Sequence, residues 1–191
     1  VVMSGVVPQI AAMVGPGAAG TAYIPGLADF VPMVKGTSSM ALAGPALVKA
    51  AVGEDIDENQ LGGSQIHNRH SGCADMEVEN DEACLQAVRD YLSFFPQSCS
   101  DKPPRIENAP GPKLLDDEIL SILPDDTRRT YDVRKVIPLI VDEGHFFEMK
   151  SDWAKSLVTG FARIGGYPIG IVANNPRYLG GVLDSEAADK A

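Results

Sequence analysis

The chain has 191 residues, 45% of them apolar and 22% charged, the balance of a soluble globular protein that buries a core within one or two modest domains. Its formal net charge of −10 argues against general electrostatic attraction to nucleic acid or to anionic membranes. No uninterrupted apolar run approaches the ~20 residues of a membrane span, and no signal peptide is visible.

Charge is nearly missing from the first quarter: residues 1–53 hold only Asp29, Lys35 and Lys49. That quarter reads as interior or interface. Val6–Val14 is a short apolar run with β-branched residues, a predicted buried strand. Of the 18 residues from Ala11 to Ala28, ten are Gly or Ala, a density that lets backbones or a ligand approach closely. Phe30–Val34 and Ser38–Ala43 read as two more strands. Gly44-Pro45 opens a helix through Ala51, with proline where its missing N–H costs nothing. Strand–loop–helix alternation of this kind is an α/β pattern.

Asp57–Leu61 is a predicted helical turn ending at Gly62-Gly63, followed by a polar loop over Ser64–Gly72 and a strand over Ala74–Val78. Asn80 is placed to cap an amphipathic helix with Asp81 and Glu82 in its first turn. The apolar face of that helix is Cys84, Val88, Tyr91, Leu92 and Phe95, and Pro96 ends it. Residues 96–131 then carry six prolines and the acidic run Asp116-Asp117-Glu118, the composition of a connector or domain boundary. Val133, Val136, Ile137, Ile140 and Val141 form a helical stripe in which Pro138 makes a kink or sits in the first turn. Phe146–Met149, Leu157–Ile164 and Ile169–Ala173 read as strands, with Gly165-Gly166 as a hairpin turn. The chain starts without Met and stops as a helix begins at Ala188, so it is expected to be an internal fragment. Its three cysteines, Cys73, Cys84 and Cys99, are odd in number and widely spaced, as free thiols in a reducing compartment are.

Gly15-Pro16-Gly17-Ala18-Ala19-Gly20 follows the G-x-G-x-x-G pattern of a dinucleotide-binding turn. That reading needs an acidic residue ~20 positions on for the ribose hydroxyls, where this sequence has Ser38-Ser39-Met40-Ala41-Leu42. Pro25 also interrupts the helix that would face a pyrophosphate. Two readings remain: a Gly/Ala seam for tight packing, and an oxyanion hole made of backbone N–H groups where a strand gives way to a helix. His67-x-x-His70-x-x-Cys73 has a spacing open to a metal, but a fourth ligand is not evident, and a polar loop with incidental histidines is the simpler reading. No metal is expected in this segment. Neither a G-x-S-x-G elbow nor a Walker A pattern is present.

In order, the chain reads "GPGAAGTAYIPGLAD", "AGPALVKAAVGE", "LGGSQIHNRHSGCAD", a proline-rich connector, "VDEGHFFE" and "GFARIGGYPIGIVANNP". This series resembles the carboxyltransferase (β) subunits of biotin-dependent acyl-CoA carboxylases, such as those acting on propionyl-CoA and methylcrotonyl-CoA. The same family includes transcarboxylase and the carboxyltransferase subunits of decarboxylating sodium pumps. The resemblance implies the crotonase-like (ClpP/crotonase) β-β-α superhelix. Residues 1–96 would be the C-terminal part of the N-terminal domain on the acyl-CoA side, and 97–132 a connector. Residues 133–191 would begin the C-terminal domain on the biotin side.

It further implies transfer of a carboxyl group between carboxybiotin and the α-carbon of an acyl-CoA, through an enolate held by backbone N–H groups. Carried over, that oxyanion hole falls on Ala19 and Gly20, where many relatives have a Gly-Gly pair. Gly17, Ala18, Thr21, Tyr23, Gly44, Pro45, Gly62 and Gly63 are expected to line or support the cleft. Biotin on a carrier domain is the implied cofactor, and a biotin carboxylase or biotin carboxyl carrier subunit the implied partner. A hexamer is implied too, with active sites between the first domain of one subunit and the second domain of another. The compartment would be bacterial cytoplasm or mitochondrial matrix, and the isolated fragment is expected to be inactive. A decarboxylase or transcarboxylase is the alternative in kind. A crotonase-type hydratase or isomerase would carry a paired Glu, whereas no acidic residue lies between Asp29 and Glu54. A non-catalytic assembly segment would differ in failing to bind CoA thioester.

Overall fold

The computed structural model describes residues 2–112, 116–126 and 128–191. They gather into two units: residues up to Leu92 with Gln97–Ser100, and Ser93–Pro96 with Asp101–Ala191.

In the first unit each turn of the chain lays a strand alongside an earlier one in the same direction. Ile10 and Met13 bridge Phe30 and Met33, in place of the continuous strand expected over Val6–Val14. Pro8 has no N–H to give a ladder, and the residues before it form turns. There follow β1 (Pro16–Ala18), a 3-10 turn over Ala19–Ala22, α1 (Tyr23–Gly26), β2 (Pro32–Val34) and β3 (Ser39–Ala41). Next come α2 (Pro45–Val52), α3 (Glu58–Gly62), α4 (Ser64–Ile66), a wide π-helical turn over His67–Ser71, β4 (Met76–Val78) and α5 (Asp81–Leu92). β1 pairs with β3 and β2 with β4, both in parallel.

Helix ends are set by local chemistry. Gly44 is the extended cap of α2, Pro45 lies in its first turn, and Gly53 closes it in the left-handed region at φ 76°. Asp57 and Gln60 form a reciprocal capping box on α3. The Asn80 side chain accepts the Ala83 N–H at 2.8 Å at the head of α5. The polar loop expected over Ser64–Gly72 is instead helical. Its inward face is polar: the Ser64 hydroxyl donates to Glu77 at 2.6 Å and the Asn68 amide donates to the Ser64 carbonyl at 3.0 Å. A helix that buries hydroxyls and amides leaves no apolar stripe to read.

The core of this unit joins Ala22, Val31, Met33, Met40 and Ala74. Phe30 stacks on Tyr91 with ring centres 4.4 Å apart. Burial, then the nearby Asp29 and Asp75 carboxylates, push the Tyr91 phenol up to about 12. Asp75 is itself buried, and its carboxylate accepts the Val31 N–H at 2.8 Å.

The second unit contains α6 (Asp116–Ile122), a 3-10 turn over Val133–Lys135, and α7 (Ile137–Ile140) with Pro138 in its first turn. β5 (Phe147–Met149), β6 (Leu157–Ile164) and β7 (Tyr167–Asn174) follow, then a 3-10 turn over Leu179–Gly181 and α8 (Ser185–Lys190). The three strands form an antiparallel sheet in the order β5-β6-β7. Gly165 and Gly166, both with positive φ, turn the β6–β7 hairpin. The buried Asp142 carboxylate accepts both of their N–H groups, at 2.9 and 2.7 Å. Ile137 and Val141 pack on Val158 and Ala162 of β6.

Candidate active site

The candidate site lies where β1 ends. Ala18 is extended, with φ −128° and ψ 153°. Its N–H donates to the Thr21 hydroxyl at 3.0 Å, and that hydroxyl donates back to the Ala18 carbonyl at 2.7 Å. Successive N–H groups of a strand alternate sides. With Ala18 turned toward Thr21, the Ala19 N–H therefore keeps to the side of β3, where Ala18 stands opposite Ala41. Ala19 then adopts φ +52°, which swings the next peptide out of the ladder. The Gly20 N–H is the first to leave it.

The residue types at this corner are the reverse of what the backbone alone would choose. Ala19 occupies the left-handed region, costing about 1 kcal/mol where glycine would cost nothing. Gly20 needs no positive φ, and a Cβ built on it would meet nothing within 4 Å. Nothing within its own chain crowds Gly20, and its missing side chain leaves the N–H open to a group arriving from outside.

Beside the turn is a groove of about 530 Å³, walled by Ala22, Tyr23 and Leu27 on one side and by Met40, Ala41, Leu42 and Val48 on another. Leu61, His67 and Cys73 also line it, and no Asp, Glu, Lys or Arg does. Two of its wall residues, Leu27 and Leu42, stand 77% and 63% exposed.

The other candidates fall into place by position. Gly17 is buried opposite Met40. Tyr23 lines the groove directly, whereas Gly44 and Pro45 act through α2, whose Val48 lines it. Gly62 and Gly63 are packed on the far edge of β3. Ser39 bridges Gly63 in antiparallel fashion, and a Cβ on Gly62 would overlap the Met40 carbonyl.

His67 is not the incidental loop histidine expected. Its Nε2 lies 2.7 Å from the Met40 carbonyl and its Nδ1 2.8 Å from the Ser71 hydroxyl. Nothing in its local sequence signals this, because Met40 is 27 residues away. Among the described residues no group of three His, Cys, Asp or Glu side chains is arranged to hold a metal ion. Among the same residues no helix is long and apolar enough to cross a membrane.

Residues 1–191 match the carboxyl transferase domain family. The chain is 43% identical to the propionyl-CoA carboxylase carboxyltransferase subunit of Haloferax mediterranei, over 98% of its own length and 36% of that protein. It is 39% identical to the methylmalonyl-CoA decarboxylase subunit alpha of Veillonella parvula, over 98% of its length and 37% of that protein. The crystal structure of transcarboxylase 12S, described as a hexamer assembly with hydrolysed methylmalonyl-coenzyme A bound, superposes with a TM-score of 0.93 at 41% identity. That match covers 100% of this chain and 38% of the transcarboxylase chain. The chain thus spans a little over a third of the relatives it matches, and it belongs to the carboxyl transferase domain family, with that family's crotonase-like fold.

Proposed function

We propose that the full-length protein moves a carboxyl group between carboxybiotin and the α-carbon of an acyl-CoA, with the turn after β1 holding the thioester oxygen. The observation that carries this reading is the corner at Ala19–Gly20, where an amide leaves the ladder beside a groove lined by no Asp, Glu, Lys or Arg, with no Cβ in the way. The α-proton of a thioester is weakly acidic, so charge that develops on its oxygen has to be stabilised as the enolate forms. A preorganised N–H donor in a dry cleft contributes about 3–4 kcal/mol to that transition state.

Gly20 is the principal donor in this reading. Ala19, expected as the second donor, instead shapes the turn, while Gly17, Ala18 and Thr21 hold its geometry. Tyr23 and α2, headed by Gly44-Pro45, wall the groove on the acyl-CoA side. Gly62 and Gly63 support β3 from behind. A backbone donor in an apolar surround fits a neutral thioester that becomes an enolate, and no residue of this chain is assigned to hold biotin. Carboxybiotin, delivered on a partner's carrier domain, supplies the carboxyl group when bound.

Residues 1–96 belong, in this reading, to the acyl-CoA domain, 97–132 to a connector, and 133–191 to the opening of the biotin-side domain. The transcarboxylase 12S relative, described as a hexamer assembly, supports a hexamer here too, with the groove facing another subunit. The compartment would be bacterial cytoplasm or mitochondrial matrix. The methylmalonyl-CoA decarboxylase relative favours a second reading, the same transfer run in the decarboxylating direction. Assaying the full-length protein with propionyl-CoA and with methylmalonyl-CoA separates the two.

The test is Gly20→Pro in the full-length enzyme. Removing one oxyanion donor is expected to lower turnover at least about 100-fold with the oligomer intact. Unchanged turnover in a folded oligomer would sink the assignment.

A further inference from the structure

We infer that His67 is a positioning residue for the carboxyltransfer site: clamped by Ser71, its imidazole holds the outer edge of β3 through the Met40 carbonyl, and so fixes the corner that carries Gly20. The inference rests on the oxyanion reading of that corner.

β3 is held from two sides. On one it receives β1, with Gly17 opposite Met40 and Ala18 opposite Ala41. Carbonyls of a strand alternate, so that of Met40 turns away from β1, toward His67. A carbonyl can only accept, and the 2.7 Å contact therefore places a proton on Nε2. The other ring nitrogen, Nδ1, is hydrogen-bonded to the Ser71 hydroxyl at 2.8 Å. The Ser71 oxygen in turn accepts the Cys73 N–H at 3.2 Å. The result is a continuous chain of hydrogen bonds from the Cys73 N–H through the Ser71 hydroxyl and the His67 ring to the Met40 carbonyl. Each bond polarises the next.

This series of bonds begins where the π-helical turn over His67–Ser71 ends at Gly72, left-handed at φ 66°. Widened turns of this type re-aim side chains and recur at functional sites. Gly62 allows α3 to close on the same Met40 backbone, since any side chain there would overlap its carbonyl. Met40 and Ala41 are at once the inner wall of the groove and the strand on which the corner is registered. The His67–Met40 bond lies about 5 Å, one strand spacing, from the strand that ends in the corner. A small shift of β3 is thus passed directly to Ala18–Gly20, and misplacement of about 1 Å is enough to lower turnover about 100-fold.

The experiment uses full-length enzyme with its biotin carrier and compares His67→Ala, His67→Gln and Ser71→Ala. His67→Ala is expected to lower kcat at least 30-fold with KM for the acyl-CoA within twofold. Ser71→Ala, which frees the ring but leaves it in place, should lower kcat three- to tenfold. His67→Gln, whose amide N–H can serve the Met40 carbonyl, should recover most of the turnover lost in His67→Ala. Full turnover in His67→Ala, a change confined to KM, or Gln as poor as Ala overturns the inference. If His67→Ala does not fold, the other two variants decide: unchanged kcat in Ser71→Ala, or loss of turnover in folded His67→Gln, overturns it. Gly20→Pro run in parallel separates the two proposals. Its failure to affect turnover removes the oxyanion reading, whereas an inactive Gly20→Pro beside a fully active His67→Ala removes only the role of His67.

Discussion

In the first unit buried polar groups are mostly neutral: Ser38, Ser39, Ser64 and Asn68 lie inside, with Asp75 the carboxylate that joins them. In the second unit cationic groups are drawn in. The Lys190 ammonium donates to the carbonyls of Lys150, Trp153 and Leu157 at 2.7–2.8 Å. Arg134 pairs with Glu148 at 2.7 Å, both side chains less than a quarter exposed. Both units also expose large apolar side chains: Leu120, Val172, Leu179 and Val182 of the second stand 60–71% exposed. In the first unit Ile24, Leu27, Leu42, Leu47 and Val52 are exposed, and Leu27 and Leu42 wall a groove with no Asp, Glu, Lys or Arg in its lining. Charge in the first unit is concentrated after residue 53, so the walls of the groove come mostly from a stretch that holds almost none. The second unit holds its turns partly through buried ions, Asp142 at the β6–β7 hairpin and Lys190 at its end, so part of its stability responds to pH.

The sharpest break in the first unit is Gly62→Ala, whose Cβ would run into the Met40 carbonyl. Backbone cannot yield as a flexible side chain does, and we expect a loss of about 3 kcal/mol, read by chemical denaturation. The counterpart in the second unit is Glu148→Gln, which leaves Arg134 half-buried without its carboxylate. The expected loss is about 2 kcal/mol, below that of a fully buried pair because both side chains retain some water. A loss as small as that of a surface pair would show that the ion pair is not what stiffens this unit.

Lys190 supplies the pH test. Burial, outweighing the nearby Glu148, lowers its ammonium to about 8 from an ordinary 10.5. A lysine whose folded value is depressed penalises its charged form, so its contribution is least favourable below about pH 8 and improves as pH rises toward 10.5. Denaturation of the full-length protein at pH 7 and pH 10 should show about 1 kcal/mol of this rise, and Lys190→Met should abolish it. A smaller effect is expected at the corner itself: Ala19→Gly should stabilise by about 0.5–1 kcal/mol by relieving the positive φ. Smallest is Glu79→Gln at the exposed Lys35–Glu79 pair, expected to change stability by less than about 0.5 kcal/mol.

Features written in adjacent residues were legible. Asn80 with Asp81 and Glu82 announced α5, Gly44-Pro45 announced α2, and Gly165-Gly166 announced the β6–β7 hairpin, because caps and tight turns are decided within a few residues. The order of short motifs was enough to indicate the family and to point to Ala19-Gly20. The helical segment over Ser64–Ser71 was illegible, since its buried face is polar and gives no 3.6-residue apolar rhythm.

What the sequence determined by itself is therefore local: where the chain turns, where helices start, and that a small-residue corner follows a strand in a region almost without charge. Tertiary structure decided the rest. It laid β1 on β3, so that Ala18 stands opposite Ala41 where the corner begins, and brought His67 to a carbonyl 27 residues away. Those outcomes depend on which strand lies beside which, and that is settled only when the parallel pairs close across long loops.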